Sequence, residues 1–203
     1  MFDSGISVKN LVDELITEVD IALTIPNATY VQWLNSLQQL LYTEIIKEQK
    51  KKVLQPPFEN NLIDISSMAE NNENAPRFED IHAVYADKTQ LIKSTVTSGV
   101  IFHNTYFRIT DQLAFNTENV PAEITIIYFV KPALITITSD GNINDANVMV
   151  PIEFIDLVKA KLRGEAYKLA NEGELSAMWL NDYNILLETF KAWIAEKSPN
   201  FGM

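Results

Sequence analysis

The chain has 203 residues, 47% of them hydrophobic, which is enough for one large domain or two small ones and excludes disorder along its whole length. It contains no cysteine, which excludes disulfide bonds, thiolate zinc sites and cysteine nucleophiles. Its 27 acidic and 16 basic residues give a formal charge of −11, which argues against a protein that grips nucleic acid phosphates. With no secretory signal and no bilayer-spanning apolar run, we expect a soluble protein without membrane contact.

Two helices are predicted in the first part of the chain. Residues 8–22 carry apolar side chains at the spacing of an amphipathic helix, and Ser7 is a suitable N-cap. After Pro26, a second helical stripe is formed by Tyr30, Trp33, Leu34, Leu37, Leu41 and Ile45. Pro56 and Pro57 stop this helix, because proline lacks the backbone donor and restricts the residue before it.

The basic residues cluster at Lys47, Lys50, Lys51 and Lys52. This cluster is predicted at the end of the second helix, where lysines complement the helix dipole. A contact with an acidic partner or with passing DNA is the alternative interpretation.

Short β-rich runs separated by turn residues begin at Leu62. A polar, proline-containing stretch at 69–80 interrupts them and is predicted to be an exposed loop. Asp140-Gly141 carries the signal of a β-hairpin, so we expect residues 133–138 to fold back on those after Gly141.

Helical periodicity returns after Pro151. One face of the next helix is formed by Ile155, Val158, Leu162, Ala166 and Leu169, and Gly173 is a plausible residue just beyond its end. The apolar side of a last helix, which ends before Pro199, is predicted to be Leu175, Trp179, Leu186, Phe190 and Trp193.

This order of elements predicts an α+β fold. We expect N- and C-terminal helix pairs packed as one helical bundle, with a central antiparallel β module. The predicted parts are an N-terminal helical pair at 1–58, the β module at 59–150, and a C-terminal helical pair with a tail at 151–203.

No catalytic motif is found in the sequence. His82 and His103 lack the close spacing of a metal pair, and the six glycines form no phosphate-binding loop. We therefore predict no catalytic residue, no metal and no cofactor, and a protein that is not an enzyme.

One stretch comes close to a calcium-binding loop. Asp140, Asn142 and Asn144 occupy its first three ligand positions, but Asp145 stands where glycine is required and Pro151 where glutamate is required. A hairpin tip that contacts a partner is the favoured interpretation, and a weak cation site is the alternative.

Three segments carry recognisable patterns. The first, YVQWLNSLQQLLYTEI at 30–45, contains W-L-N-x-x-Q, and the second, ITIIYFVKPALIT at 124–136, contains a strand ending in Y-x-x-x-P. The third, at 150–193, is a proline-led helix, a small-residue turn, and a helix with a central Tyr and a late Phe. In this order the segments resemble the adaptor, or head-to-tail connector, proteins of tailed bacteriophages.

The resemblance implies a structural virion protein in the neck between head and tail, assembled in the host cytoplasm. Such a protein forms a ring with itself, usually twelve-fold, and meets the portal protein and a downstream tail or neck protein. DNA passes through the ring without sequence-specific binding. The alternatives are another virion structural protein (a stopper, tail-completion or decoration protein), a non-viral protein-binding module, or a small enzyme.

Partner contacts are predicted at three places. Lys131-Pro132 ends a strand, and residues 133–138 then form either a simple strand-end turn or an arm that pairs with a neighbouring protein. The hairpin tip at Asp140-Gly141 is the second. The third is the tail, where Pro199 ends the last helix and the apolar side chains of Phe201 and Met203 follow. The resemblance implies that this tail docks into the portal, with Phe201 as its anchor.

Overall fold

The computed structural model describes residues 2–19, 24–68, 75–94, 103–110 and 112–197. They divide into two compact units. The helical unit combines residues up to Ile46 with those from Leu134 onward, and the sheet unit runs from Lys47 to Ala133. No described helix is both long enough and apolar enough to cross a membrane.

The described helices of eight or more residues are α1 (Val8–Glu18), α2 (Asn27–Leu40), α3 (Ile155–Leu169) and α4 (Gly173–Lys197). A π-helical turn, Leu41–Ile46, continues α2. The stripe predicted for α1 is confirmed at Val8, Leu11, Val12 and Leu15, which are buried, but Ile16 of the same stripe is 45% exposed. Gly173 begins α4, and Asn171, with φ of 61°, takes the left-handed position after α3.

The helical unit is built around α3. This helix buries Leu157, Val158, Ala160, Leu162, Gly164 and Ala166, and it contacts α1, α2 and α4. A Cβ placed on Gly164 would lie 2.7 Å from Cγ of Leu180, so glycine allows α4 to approach α3 closely. Ser176 Oγ donates a hydrogen bond of 2.9 Å to the Gly164 carbonyl at the same crossing.

An extended segment, residues 134–150, packs with the helices. Its backbone pairs with the N-terminal residues, as Ser4 N donates to Val148 O (3.1 Å) and Val148 N donates to Ile6 O (2.9 Å). Buried side chains of this segment complete the helical core, namely Ile135, Ile143, Val148, Met149 and Val150.

Two amide side chains of α2 hold the same segment. Asn35 donates from Nδ2 to Ile135 O and accepts at Oδ1 from Ile135 N, both at 2.9 Å. The buried Gln38 accepts from Met149 N at 2.7 Å through Oε1. A side-chain amide can satisfy a backbone donor and acceptor as a neighbouring strand would. These contacts explain why an extended segment is stable beside helices.

The sheet unit contains one sheet with seven described strands, in the order β1-β7-β3-β4-β5-β6-β2. The strands are β1 (Gln49–Leu54), β2 (Leu62–Asp64), β3 (Ile81–Ala86), β4 (Thr89–Lys93), β5 (Thr105–Ile109), β6 (Gln112–Asn116) and β7 (Ile124–Phe129). β4 and β5 are parallel, and the other neighbouring strands are antiparallel.

The chain is α+β, but the predicted arrangement of helix pairs packed as one bundle with a central antiparallel β module is wrong. The sheet is mixed, because β4 and β5 run in the same direction across the connection at 94–104. The N-terminal helices do not form a pair, since α1 and α2 each contact α3 more than they contact one another.

The boundaries of the units also differ from the predicted parts. The units are divided after Ile46 and after Ala133, whereas the sequence predicted boundaries after residues 58 and 150. Residues 49–54 join the sheet by pairing with β7, and 134–150 join the helices. The lysine cluster, predicted at the end of a helix, therefore belongs largely to strand β1.

Candidate functional site

The histidines do not form a chemical centre in the structure. His82 lies edge-on to Phe129, with 5.5 Å between ring centroids, and His103 lies in a turn before β5. Within the described ranges, no group of three or more His, Asp or Glu side chains is placed to hold a metal ion.

Lys131 and Pro132 lie inside the sheet unit. Lys131 Nζ donates a 2.5 Å hydrogen bond to Asp80 Oδ1, and the Asp80 side chain is only 9% exposed. Asp80 Oδ2 also accepts from the backbone N–H of Arg77 at 3.0 Å. Pro132 is buried. The charge at the end of β7 thus neutralises a buried carboxylate of the same unit.

The predicted hairpin at Asp140-Gly141 is confirmed. Gly141, at φ of 78°, donates to Thr138 O at 3.0 Å, and Ile137 forms a bridge with Ile143. Asp140 and Gly141 are both exposed. From Leu134 the chain belongs to the helical unit, where Ile135 is buried, and the predicted pairing of residues 133–138 with a neighbouring protein stays a prediction.

The predicted tail contacts cannot be placed in the same way. Pro199, Phe201 and Met203 lie outside the described residues, which end at Lys197. Their role at a partner interface stays a prediction.

Helix α4 exposes apolar side chains on the side opposite its core contacts. It buries Ser176, Tyr183, Phe190 and Ile194. Residues two positions after Ser176 and Tyr183 lie about 200° around the helix, and these are Met178 and Ile185. These two residues form the outer face of α4, where their side chains are 48% and 59% exposed, and Leu175, 40% exposed, lies beside this face.

An open groove of about 470 Å³ adjoins this outer face, between α3 and α4. Its lining residues are Asp156, Ala160, Arg163, Trp179, Asp182, Ile185 and Leu186. The guanidinium of Arg163 lies over the Trp179 ring, 4.6 Å from its centroid, and also pairs with the Glu18 carboxylate of α1. The groove therefore combines an apolar wall with two carboxylates and a positioned arginine.

A second ion pair ties α1 to α3 one turn earlier. Lys159 Nζ donates to the carboxylate of Glu14, and this hydrogen bond is the main reason that the pKa of Glu14 is below its ordinary value of 4.5. A carboxyl group whose pKa is lowered by folding stabilises the folded state above its unfolded pKa. That contribution is lost as the pH falls through the folded pKa.

The wild type is thus expected to be more stable than the Glu14→Gln variant near neutral pH, and acidification is expected to reduce this difference in stability. Thermal unfolding should give the wild type the higher Tm near about pH 6, and a smaller difference in Tm as the pH falls below the ordinary pKa of glutamate. Asp13→Asn, which removes an exposed carboxyl from the same helix without removing the Glu14–Lys159 contact, serves as control. A difference between Glu14→Gln and wild type that persists at low pH would contradict this role.

The apolar side predicted for α4 is confirmed at Phe190, which is buried, and at Trp179, Leu186 and Trp193, which pack against the core. Leu175, predicted to be apolar core, is exposed, while Tyr183 and Ile194 are buried. The usable signal was a second heptad series, because Met178, Ile185 and Ala192 recur every seven residues beside the series Ser176, Tyr183 and Phe190. Met178, Ile185 and Ala192 are all exposed in the structure, so this second series lies outside the core of the helical unit.

Comparison with known proteins does not assign a family. No protein-family model matches the chain, and no curated protein matches it. The function must therefore be inferred from the residues and their geometry.

Proposed function

We propose that this chain is the subunit of an adaptor ring that joins the portal vertex of a phage head to the tail and surrounds part of the DNA channel. The observation that carries the proposal is the outer face of α4. An exposed row of large apolar side chains on a long helix is typical of a surface covered by another protein. In a ring that surface is covered by the neighbouring subunit.

The internal contacts of the chain support the resemblance to phage adaptors. Asn35 and Gln38 belong to the W-L-N-x-x-Q pattern of the first segment. Asn35 binds the backbone of Ile135, within the second segment, and Gln38 binds Met149, which immediately precedes the third. The first segment is thus hydrogen-bonded to the second segment and to the residue before the third, although these lie far apart in the sequence.

The net charge suits a channel that DNA must pass through. A lumen that carries an excess of carboxylates repels phosphate, so DNA can slide past without being held. The formal net charge of the chain is −11, so each subunit has an excess of carboxylates that could line such a lumen. The proposed ring meets the portal protein on one side and a tail or neck protein on the other.

The ring is tested by changing the outer face of α4. Ile185→Asp places a charge where the proposed subunit contact excludes water, so we expect loss of rings and retention of a folded monomer. Light scattering after size exclusion and electron microscopy, each with and without the purified portal protein of the same phage, measure this. Val120→Asp introduces the same charge at a 71% exposed valine of the sheet unit and should leave the rings intact.

Two results would count against these ideas separately. Rings of unchanged size from Ile185→Asp would exclude the outer face of α4 as the subunit contact. Wild-type protein that stays monomeric both alone and with the portal would contradict the adaptor function itself.

A further inference from the structure

We propose that strand β1 is a docking site for an acidic extended segment of another protein, which adds to the sheet as a further strand. The proposal rests on the position, backbone orientation and charge of β1. It does not depend on the adaptor function, since any soluble partner with such a segment could use this edge.

Among the described strands, β1 is an edge strand of the sheet. It lies at the end of the strand order, and among the described strands its partner is β7. The pairing is continuous over six residues, from Gln49 opposite Phe129 to Leu54 opposite Ile124. An edge of this length is a template for strand addition.

The hydrogen-bond register shows which backbone groups face outward. Val130 N donates to Glu48 O at 2.9 Å, so Glu48 and every second residue after it bond to β7. Antiparallel pairing alternates along a strand, and the residues between them direct their N–H and C=O groups away from β7. These residues are Gln49, Lys51 and Val53.

The side chains of the edge determine the chemistry of the partner. Lys50, Lys51 and Lys52 follow one another, so the lysines occupy both faces of the strand, and Lys51 is exposed. Val53, 41% exposed, follows on the same face as Lys51. A strand with consecutive carboxylates and one apolar side chain opposite Val53 would match this edge in charge and in shape.

The same lysines exclude a second copy of β1 as the occupant. Lysine on an edge strand discourages pairing between like edges, because two such strands would bring like charges face to face. An acidic strand meets no such repulsion. The positive charge of β1 therefore disfavours pairing with a second β1 and favours pairing with an acidic strand.

A designed peptide tests the proposal on the full chain. The probe is a capped peptide with three consecutive glutamates flanked by valines, matched to the six residues of β1. Titration followed by NMR should give saturable shifts of the amides of Gln49, Lys51 and Val53. Amide exchange at Lys51 and Val53 should slow about tenfold at saturation, because their N–H groups become hydrogen-bonded.

Control probes separate strand pairing from charge attraction. A peptide with lysines in place of the glutamates should not bind. A glutamate peptide with a central proline keeps most of the charge but loses a backbone donor, so it should bind about tenfold more weakly. Equal binding of the glutamate and proline peptides, or saturable binding of a short DNA duplex without binding of the glutamate peptide, would overturn the proposal.

Variants of the chain give the matching test. Lys51→Glu should weaken binding of the glutamate peptide roughly tenfold, since a favourable charge contact becomes a repulsive one. Lys9→Glu makes the same change of charge at an exposed residue of α1 and should leave the affinity unchanged. Unaltered amide shifts in β7 would show that the sheet of the Lys51→Glu variant is folded. If both variants weakened binding of the glutamate peptide equally, docking at β1 would be contradicted.

Discussion

Replacing Leu162 by alanine is expected to lower the free energy of unfolding of the helical unit by about 2–5 kcal/mol. Leu162 is 0% exposed and lies on α3, the helix that contacts α1, α2 and α4. Truncation removes buried apolar atoms and leaves a cavity that packed helices fill only in part. Urea denaturation followed by tryptophan fluorescence measures the change, because the helical unit contains Trp33, Trp179 and Trp193.

Leu169→Ala is the matched control for this experiment. It makes the same chemical change on the same helix, but Leu169 is 47% exposed, so we expect a change within about 0.5 kcal/mol. Similar effects of the two substitutions would contradict the central position of α3 in the core.

Lys131→Met is expected to destabilise the sheet unit by on the order of 3 kcal/mol. The substitution leaves the Asp80 carboxylate, 9% exposed, without its cationic partner in a place that water hardly reaches. Most of the cost comes from this uncompensated charge and little from the lost lysine contacts. The loss of stability is measured by chemical denaturation of the full chain, in which the unfolding of the sheet is monitored.

A double-mutant cycle isolates the ion pair. Asp80→Asn removes the charge but keeps an oxygen that can accept from Arg77 N, so Lys131→Met should cost much less in that background. Lys191→Met breaks an exposed pair with Glu188 and should change stability by less than about 1 kcal/mol. Equal costs of Lys131→Met in the two backgrounds would exclude coupling between Lys131 and Asp80.

Local patterns in the sequence were sufficient to predict the elements whose formation depends on residues close to one another in the chain. The four buried residues of α1 and the hairpin at Asp140-Gly141 were predicted correctly, because helical spacing and turn chemistry depend on neighbouring residues. The apolar strand at 124–130 is likewise found in β7, which lies between β1 and β3.

Features that depend on distant partners were not predicted. Lysine is compatible with the end of a helix, and only pairing with β7 makes residues 49–54 a strand. The parallel arrangement of β4 and β5 is a relation between two strands, and no local pattern specifies it. The extended segment at 134–150 is held by Asn35 and Gln38, about 100 residues away, as the hydrogen bonds show.

The candidate surfaces were predicted less well than the fold elements. Lys131 pairs with Asp80, 51 residues away in the same unit, which no local pattern specifies. Its predicted contact with a partner stays a prediction. The outer face of α4 was missed because two apolar series overlap on one helix, and only the packing against α3 shows which of them is buried.

The discontinuous helical unit has a consequence for synthesis on the ribosome. The sheet unit is a continuous stretch, so all of its strands are available once Ala133 has emerged. Residues 4–8, by contrast, pair with 146–148, and α1 and α2 have no α3 to pack on until translation has passed Leu169. During that interval the apolar stripes of both helices are uncovered, which is the condition in which nascent chains associate wrongly. The first helices to be made are thus among the last to be buried.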